Sequence, residues 1–532
     1  VDLEEAAAGF GRGDRVNGRI RRLGIGLLVL FTMLFGQIAY VQVFAASSIS
    51  QNPANATRQY IAEYQIQRGP ILAADGTAIA VSQRTKHSSI FKYQRLYPQG
   101  ELFGQITGYY SRNYGSSELE HSMNPWLSGS DASLAGSTLS DLVLGRPRKG
   151  GTVITTLQPS LQRLAQQALG NQQGAVVAID PTTGDILTMY SNPSYDPSGL
   201  SDPSSDTQTK AWNALTQVQD PNAQPLLPTA NANLFPPGST FKIITAAAAL
   251  SAGYEQQSVW PSPHSLALPG SSATIQNFGG EFCNGGASQV TMLEAFTESC
   301  NVVFGEIGLK VGADKLAAQA QAFGFCPIDP PTQTTCAENP IPFSEPPFGV
   351  TSVAGRFPSA SYFSTREAAV AISAIGQEND LANPLQMALV SGAVANGGLL
   401  MRPRLVTEIR DSAGRVVQRF PTTSYGQAVT PQVAGDLTAM MQNVVNSGTG
   451  TYAQIPGIQV AGKTGTADHT APGAPAQPPH AWFTGFASAN GRSIAVAVIV
   501  LNGGNMGSEA TGGHVAAPIA KQIIEAWLRG GA

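Results

Sequence analysis

Residues 459–503 read QVAGKTGTADHTAPGAPAQPPHAWFTGFASANGRSIAVAVIVLNG and contain three β-type runs: QVAGKTGTA (459–467), AWFTGFAS (481–488) and IAVAVIVLNG (494–503). Apolar runs of this length bounded by Gly, Pro and Asn are strand signals. Residues 468–480 hold four prolines and form a loop, because proline lacks the N–H a sheet ladder needs. The pattern recurs upstream, where GAVVAID (174–180), PTTG (181–184) and DILTMYS (185–191) predict a hairpin. Thr152–Leu157 reads as a strand and Pro159–Leu169 as a helix, with Leu161, Leu164 and Leu169 apolar. FKIITAAAALSAG, VTMLEAFTES and ADKLAAQAQAFG are helical and alanine-rich, and a last helix runs from about Ala517 to Leu528. Strands, helices, strands again and a closing helix describe an α+β domain with a helical insertion.

The whole chain has 532 residues, too many for one ordinary domain. Its 31 Lys+Arg against 35 Asp+Glu give a net charge of −4, so nothing favours nucleic acid as a partner. Charged residues make up 12%, about half the roughly 25% of soluble domains. Part of that deficit is Leu23–Ala45, 23 uncharged residues (LGIGLLVLFTMLFGQIAYVQVFA). About 20 apolar residues span a bilayer as a helix. Arg12, Arg15, Arg19, Arg21 and Arg22 precede it, and no Lys or Arg follows before Arg58. The positive-inside rule then places residues 1–22 in the cytoplasm and the remainder outside. A cleaved signal peptide ending at Val43-Phe44-Ala45 is the rival reading. The span outlasts the usual apolar core of about 7–15 residues, so an uncleaved anchor is expected.

Cys283, Cys300, Cys326 and Cys336 suit an oxidising compartment. Four cysteines allow three pairings; sequential pairing, Cys283–Cys300 and Cys326–Cys336, closes the shortest loops. A buried free thiol at Cys300 is the alternative. No C-x-x-C or H-x-x-x-H occurs, so neither a metal nor another cofactor is expected. Residues 46–150 mix short β-like runs with turns, including Asp75-Gly76.

Pro236-Pro237-Gly238-Ser239-Thr240-Phe241-Lys242 stands before the first alanine-rich helix. Residues three apart share a helix face, so Lys242 can take a proton from Ser239 if burial keeps the amine neutral. S-x-x-K alone is cheap, since Ser89 and Lys92 also match. S-x-N is cheaper still, and Ser299-Cys300-Asn301 is one of several. K-T-G occurs once, at Lys463-Thr464-Gly465 on the first quoted strand. Lys and Thr on an edge strand can bind a substrate carboxylate, and the glycine is expected to admit the ligand's backbone. In order, with 60 residues from Ser239 to Ser299 and 224 to Lys463, the three motifs say far more than any one.

This set resembles the penicillin-binding proteins, and the chain looks most like a class B (monofunctional) member of the actinobacterial PbpA type. Arg68-Gly69-Pro70-Ile71 with Asp75-Gly76 and Ala80, then Gly108, Gly115, Leu119-Glu120 and Leu127-Ser128-Gly129, resemble the family's N-terminal pedestal motifs. Ile375-Gly376-Gln377, Asn383–Ala388 and Ala395–Gly398 resemble the segment behind the active site. The resemblance implies an antiparallel sheet with helices on both faces, plus a mixed pedestal module. The division is a tail (1–22), an anchor (23–45), a pedestal of dimerisation type (46–150) and a transpeptidase domain (151–532).

It also implies roles. Ser239 is acylated, Lys242 is its base, and Ser299 relays the proton. Asn301, Lys463, Thr464, Gly465 and Thr466 bind substrate, with the N–H groups of Ser239 and Thr466 as oxyanion hole. Peptidoglycan stem peptides are the implied substrates, β-lactams the inhibitors, and a SEDS-type membrane glycosyltransferase the partner. Pro228-Thr229-Ala230 departs from the Asn-Arg-Ala common in the family, which puts the support of the nucleophile in question. Competing readings are a D,D-carboxypeptidase or β-lactamase, a β-lactam sensor, and a non-catalytic scaffold. No E-x-x-L-N segment lies between Asn301 and Lys463, against a β-lactamase. His469 and His480, Tyr109-Tyr110 and Trp126 are expected to be packing residues, and Arg146, Arg148 and Lys149 a solvated linker.

Overall fold

The computed structural model describes residues 10–43, 64–85, 91–134, 149–220, 223–330, 343, 350–470 and 475–530. Cys336, Arg146, Arg148 and Ala45 lie outside them. The chain divides into two units, residues 1–65 and 66–532. Among its described residues the first contains one helix, α1 (Phe10–Val43), whose stretch Arg21–Val41 has a mean hydropathy of 2.0 and is long enough to cross a membrane.

The second unit opens with β1 (Ile71–Leu72), β2 (Ala78–Arg84), β3 (Tyr93–Leu96) and β4 (Thr152–Thr155). Next come α2 (Pro159–Leu169) and the hairpin β5 (Gly174–Ile179) and β6 (Ile186–Asn192). The helical middle includes α3 (Lys242–Ser251), α4 (Asn301–Val311) and α5 (Pro384–Ala395). A hairpin, β7 (Val406–Arg410) and β8 (Val416–Arg419), leads to α6 (Pro431–Ser447). Last are β9 (Val460–Ala467), β10 (His480–Ala489), β11 (Arg492–Val500) and α7 (Ala517–Leu528).

The larger core is built on an antiparallel sheet in the order β9-β10-β11-β5-β6. β11 shows why it is covered on both faces. Ile494, Val496 and Val498 belong to one core and Ala495, Ala497 and Ile499 to the other, as period-two alternation requires. α2 and α7 cover the first face and α5 the second. A central strand with no polar face has this near-continuous apolar sequence. Each buried Val or Ile contributes about 1.5–3 kcal/mol of transfer free energy.

The second sheet runs β8-β7-β4-β1-β2-β3. β4 pairs in parallel with β1 (Ile71 opposite Val153) and antiparallel with β7 (Val406 opposite Thr155). Strands from before residue 150 and from beyond residue 400 therefore share one ladder. The Asp75-Gly76 turn joins β1 to β2 as expected, with Thr77 N donating to Asp75 Oδ1 at 2.8 Å. Two family-like motifs meet beneath this sheet. Glu120 takes Arg68 Nε at 2.6 Å and Arg95 Nε at 2.5 Å, all three nearly sealed from solvent. Burial alone would raise the Glu120 carboxyl, but the Arg95 and Arg68 guanidiniums outweigh it and hold the group below its usual range. Tyr109 and Tyr110 are buried and Trp126 packs against the core, as expected. Lys149 is exposed.

Candidate active site

α3 carries KIITAAAAL with every residue from Lys242 to Leu250 buried. A helix apolar on all sides belongs inside the core, and Lys242 is drawn in with it. A tight 3-10 turn, Gly238–Phe241, precedes the helix and presents Ser239, half-buried, to a cleft of about 450 Å³. Gly376 fixes this turn from behind, its carbonyl accepting from Gly238 N at 2.9 Å. Its φ is +78°, and a Cβ there would stand 2.0 Å from Gly238 O, so only glycine fits. The unusual Pro228-Thr229-Ala230 is anchored otherwise than by the expected motif: Ala230 N donates to Ser191 Oγ at 3.0 Å, and Asn383 Nδ2 to Asn231 O at 3.1 Å.

Ser299 has φ +63°, a left-handed conformation rare for a residue with a Cβ. It ends the turn between helix Met292–Thr297 and α4. The next residue, Cys300, is bridged to Cys283 with Cα atoms 5.8 Å apart, so the expected first disulfide is present and the free-thiol alternative falls. The second expected pairing involves Cys336, outside the described residues.

Two lysines converge here. Lys463 Nζ donates to Ser299 Oγ at 2.8 Å and Lys242 Nζ reaches the same oxygen at 3.3 Å. Lys242 also donates to Ser299 O at 2.6 Å and to Asn301 Oδ1 at 2.7 Å. Both amines are fully buried, and among the described residues no carboxylate pairs with either. Each faces a phenyl ring at 5.6 Å, Phe304 for Lys242 and Phe296 for Lys463. Burial, then the neighbouring Lys463, push the Lys242 amine well below its ordinary value. Burial alone brings Lys463 down to about 7.

Among the described residues β9 is the edge of its sheet, with β10 as its one strand partner. Thr464 and Thr466 line the cleft together with Ser239, Ser299 and Asn301. Gly465 differs from expectation. A Cβ there would meet Pro237 O and Thr240 Cγ2 at 3.0 Å, so the room it leaves is filled by the nucleophile's own turn and not by a ligand. The glycine lets the Ser239 turn lie against the strand. His480 is buried, stacked on His469 at 3.8 Å and edge-on to Phe235 at 5.4 Å, and lies outside the cleft lining. Burial and then His469 push it down to about 3, so it is a neutral packing residue. Asp380 is a third buried group, in the segment behind Gly376. Among the described residues no cation pairs with its carboxylate, and burial pushes its pKa well up against a smaller opposing effect of the Ser373 hydroxyl.

Sequence reading missed Thr449, whose hydroxyl meets that of Thr464 at 2.6 Å, and the stretch Thr511–His514, which also lines the cleft. Small-residue runs, Ser447–Gly450 and Thr511–Gly513, were the available signal. A Cβ on Gly512 would stand 2.0 Å from Trp482 O.

A serine on a helix-leading turn, two buried amines and an edge strand define a serine acyltransferase site. Residues 174–525 match the penicillin binding protein transpeptidase domain, and residues 68–153 match the penicillin binding protein A dimerisation domain. The chain belongs to the class B penicillin-binding proteins. Within that family it is a close homologue of the mycobacterial PbpA proteins. It is 39% identical to peptidoglycan D,D-transpeptidase PbpA of Mycobacterium tuberculosis over 524 residues, 97% of this chain and 100% of that protein. Identity to the Mycolicibacterium smegmatis PbpA is 40% over 522 residues, with the same coverage of 97% and 100%. Among solved structures, the ceftriaxone acyl-enzyme complex of penicillin-binding protein A from M. tuberculosis superposes with a TM-score of 0.78. Its identity is 38%, covering 88% of this chain and 99% of that one. The penicillin G acyl-enzyme of that protein gives 0.76 at 38% identity, covering 87% and 100%.

Proposed function

We infer that the chain is a peptidoglycan D,D-transpeptidase, a serine enzyme acylated by β-lactams. The observation that carries the assignment of roles is the meeting of two buried, carboxylate-free lysines on Ser299 Oγ, in the cleft that holds Ser239. Ser239 Oγ attacks the carbonyl of the penultimate D-Ala of a stem peptide and gives its proton to neutral Lys242. The C–N bond breaks, an ester forms on Ser239, and the departing D-Ala amine takes a proton relayed through Ser299. An amine from a neighbouring strand then attacks the ester and restores the serine. The N–H groups of Ser239 and Thr466 meet the oxyanion, Asn301 holds a substrate amide, and Lys463 with Thr464 binds the terminal carboxylate.

The N-terminal arginines support an anchor with residues 1–22 in the cytoplasm and the catalytic part outside. The division of labour is a pedestal over 46–150 and catalysis over 151–532, with a SEDS-type membrane glycosyltransferase as the partner supplying glycan strands.

Fluorescent penicillin should label the detergent-solubilised protein and leave Ser239→Ala unlabelled. Equal labelling of both proteins would sink the assignment. An adduct that persists for hours separates a transpeptidase from a β-lactamase. Rescue of a depleted strain by Ser239→Ala would favour the scaffold reading.

A further inference from the structure

The cleft has a second polar wall that the lysine–serine centre leaves unused. Beyond Thr464 lies the stretch ending in His514: a Cβ on Gly513 would stand 3.8 Å from Thr464 Cγ2. His514 lines the cleft and is solvent-exposed. Thr511 Oγ1 accepts from His514 N at 3.3 Å and lies 2.9 Å from His514 Nδ1. A hydroxyl that already accepts can donate to Nδ1, and the ring then carries its hydrogen on Nε2. The ring is also held against Tyr452, centroids 5.0 Å apart in an edge-on arrangement.

Charge is unevenly spread around this cleft. Among the described lining residues the titratable side chains are Glu281, Glu298 and His514, the cysteines being bridged. Glu298 adjoins Ser299, and Glu281 sits on the loop tied to it through Cys283–Cys300. That wall repels an anion. Lys463 is buried and gives two of its three ammonium hydrogens to Ser299 Oγ and Thr464 O. On the Thr464 side of the cleft, away from the two carboxylates, His514 is the titratable nitrogen donor among the described lining residues.

We propose that His514 is a specificity-determining residue that donates from Nε2 to the terminal carboxylate of the D-Ala-D-Ala end, and to the carboxylate of a penicillin, beside Thr464 and Thr466. The proposal rests on the transpeptidase reading above. The imidazole adds a second, solvent-side contact to the attraction of the buried Lys463 amine, and Glu281 and Glu298 disfavour the reversed orientation.

The test is the acylation of detergent-solubilised full-length protein by penicillin G in four forms: wild type, His514→Ala, His514→Arg and His514→Glu. The second-order constant should drop about five-fold in the alanine form, the size of an exposed charged contact. It should return in the arginine form and fall below alanine in the glutamate form. The change should lie in formation of the pre-acylation complex, with the first-order acylation constant altered less than about two-fold. Equal losses in all three variants would mean that the ring merely packs, and would overturn the proposal. So would an alanine form within about two-fold of wild type, or a loss confined to the acylation constant. Wild type that fails to react at all removes the transpeptidase reading itself, whereas reactive wild type with an unaffected alanine form removes the His514 proposal alone.

Discussion

In the pedestal, Glu120 is sealed from water between Arg68 and Arg95; in the cleft, Lys242 and Lys463 are sealed from water beside each other. Both arrangements carry the cost of stripping ions of their hydration. In the first, opposite charges offset that cost and hold the Glu120 carboxyl below its usual range. In the second, like charges add to it, and the amines are driven toward neutrality. A paired buried charge holds a fold in register; an unpaired one is poised to move protons. Asp380 is a third case, unpaired and buried but outside the cleft lining, and it costs stability without touching substrate.

The contrast can be broken at either end. Lys242→Ala should lower the second-order acylation constant by about 10²–10⁴, the usual contribution of a positioned base. Stopped-flow measurement with penicillin checks it, and a loss below tenfold would remove Lys242 from that role. Glu120→Ala should leave two guanidiniums buried without their carboxylate and destabilise by about 3–5 kcal/mol. Denaturant melts read that loss, while acylation per folded molecule should not change.

The two lysines also predict a pH profile. Acylation rises with pH while Lys242 loses its proton. It then falls above about 7 as Lys463 neutralises and no longer attracts the carboxylate, by up to about tenfold per pH unit. A constant that keeps climbing to pH 9 would show that Lys463 works uncharged. The smallest effect belongs to Asp380→Asn. A carboxyl with a raised folded-state value contributes stability below about pH 4, where it is protonated in both states, and loses it as pH rises. The asparagine form should therefore gain on wild type between pH 5 and 8, by about 1 kcal/mol, in paired thermal melts.

Much of this was legible in the sequence because it is local. Helices Pro159–Leu169 and Ala517–Leu528 carry their own periodicity and end where expected. The strands of 459–500 advertise themselves as apolar runs and by the prolines between the first two. Ser239, Ser299 and Lys463 were found because their spacing is an ordered pattern. What escaped depends on pairing across long separations. Nothing near residue 406 announces that its strand will lie beside Thr152–Thr155. Gly465 was read for its effect on a ligand, while the neighbour that needs the space is Pro237–Thr240, more than 200 residues earlier. His514 belongs to no motif, and only the folding of its stretch against Thr464 brings it to the cleft.

The strand β4, gripped on both sides, has a consequence for how this protein can be cut and recombined. Residues 68–153 and 174–525 match two separate families, which invites exchange at the seam between them. In space that seam runs through the middle of a ladder. A swap that replaced residues 1–150 would ask a foreign β1 to match Val153 and Ile154 in register. A fragment beginning at 151 would leave β4 with one edge bare. Shuffling between relatives should succeed where the two halves have diverged together, and whole-module transplants should yield aggregates rather than hybrids.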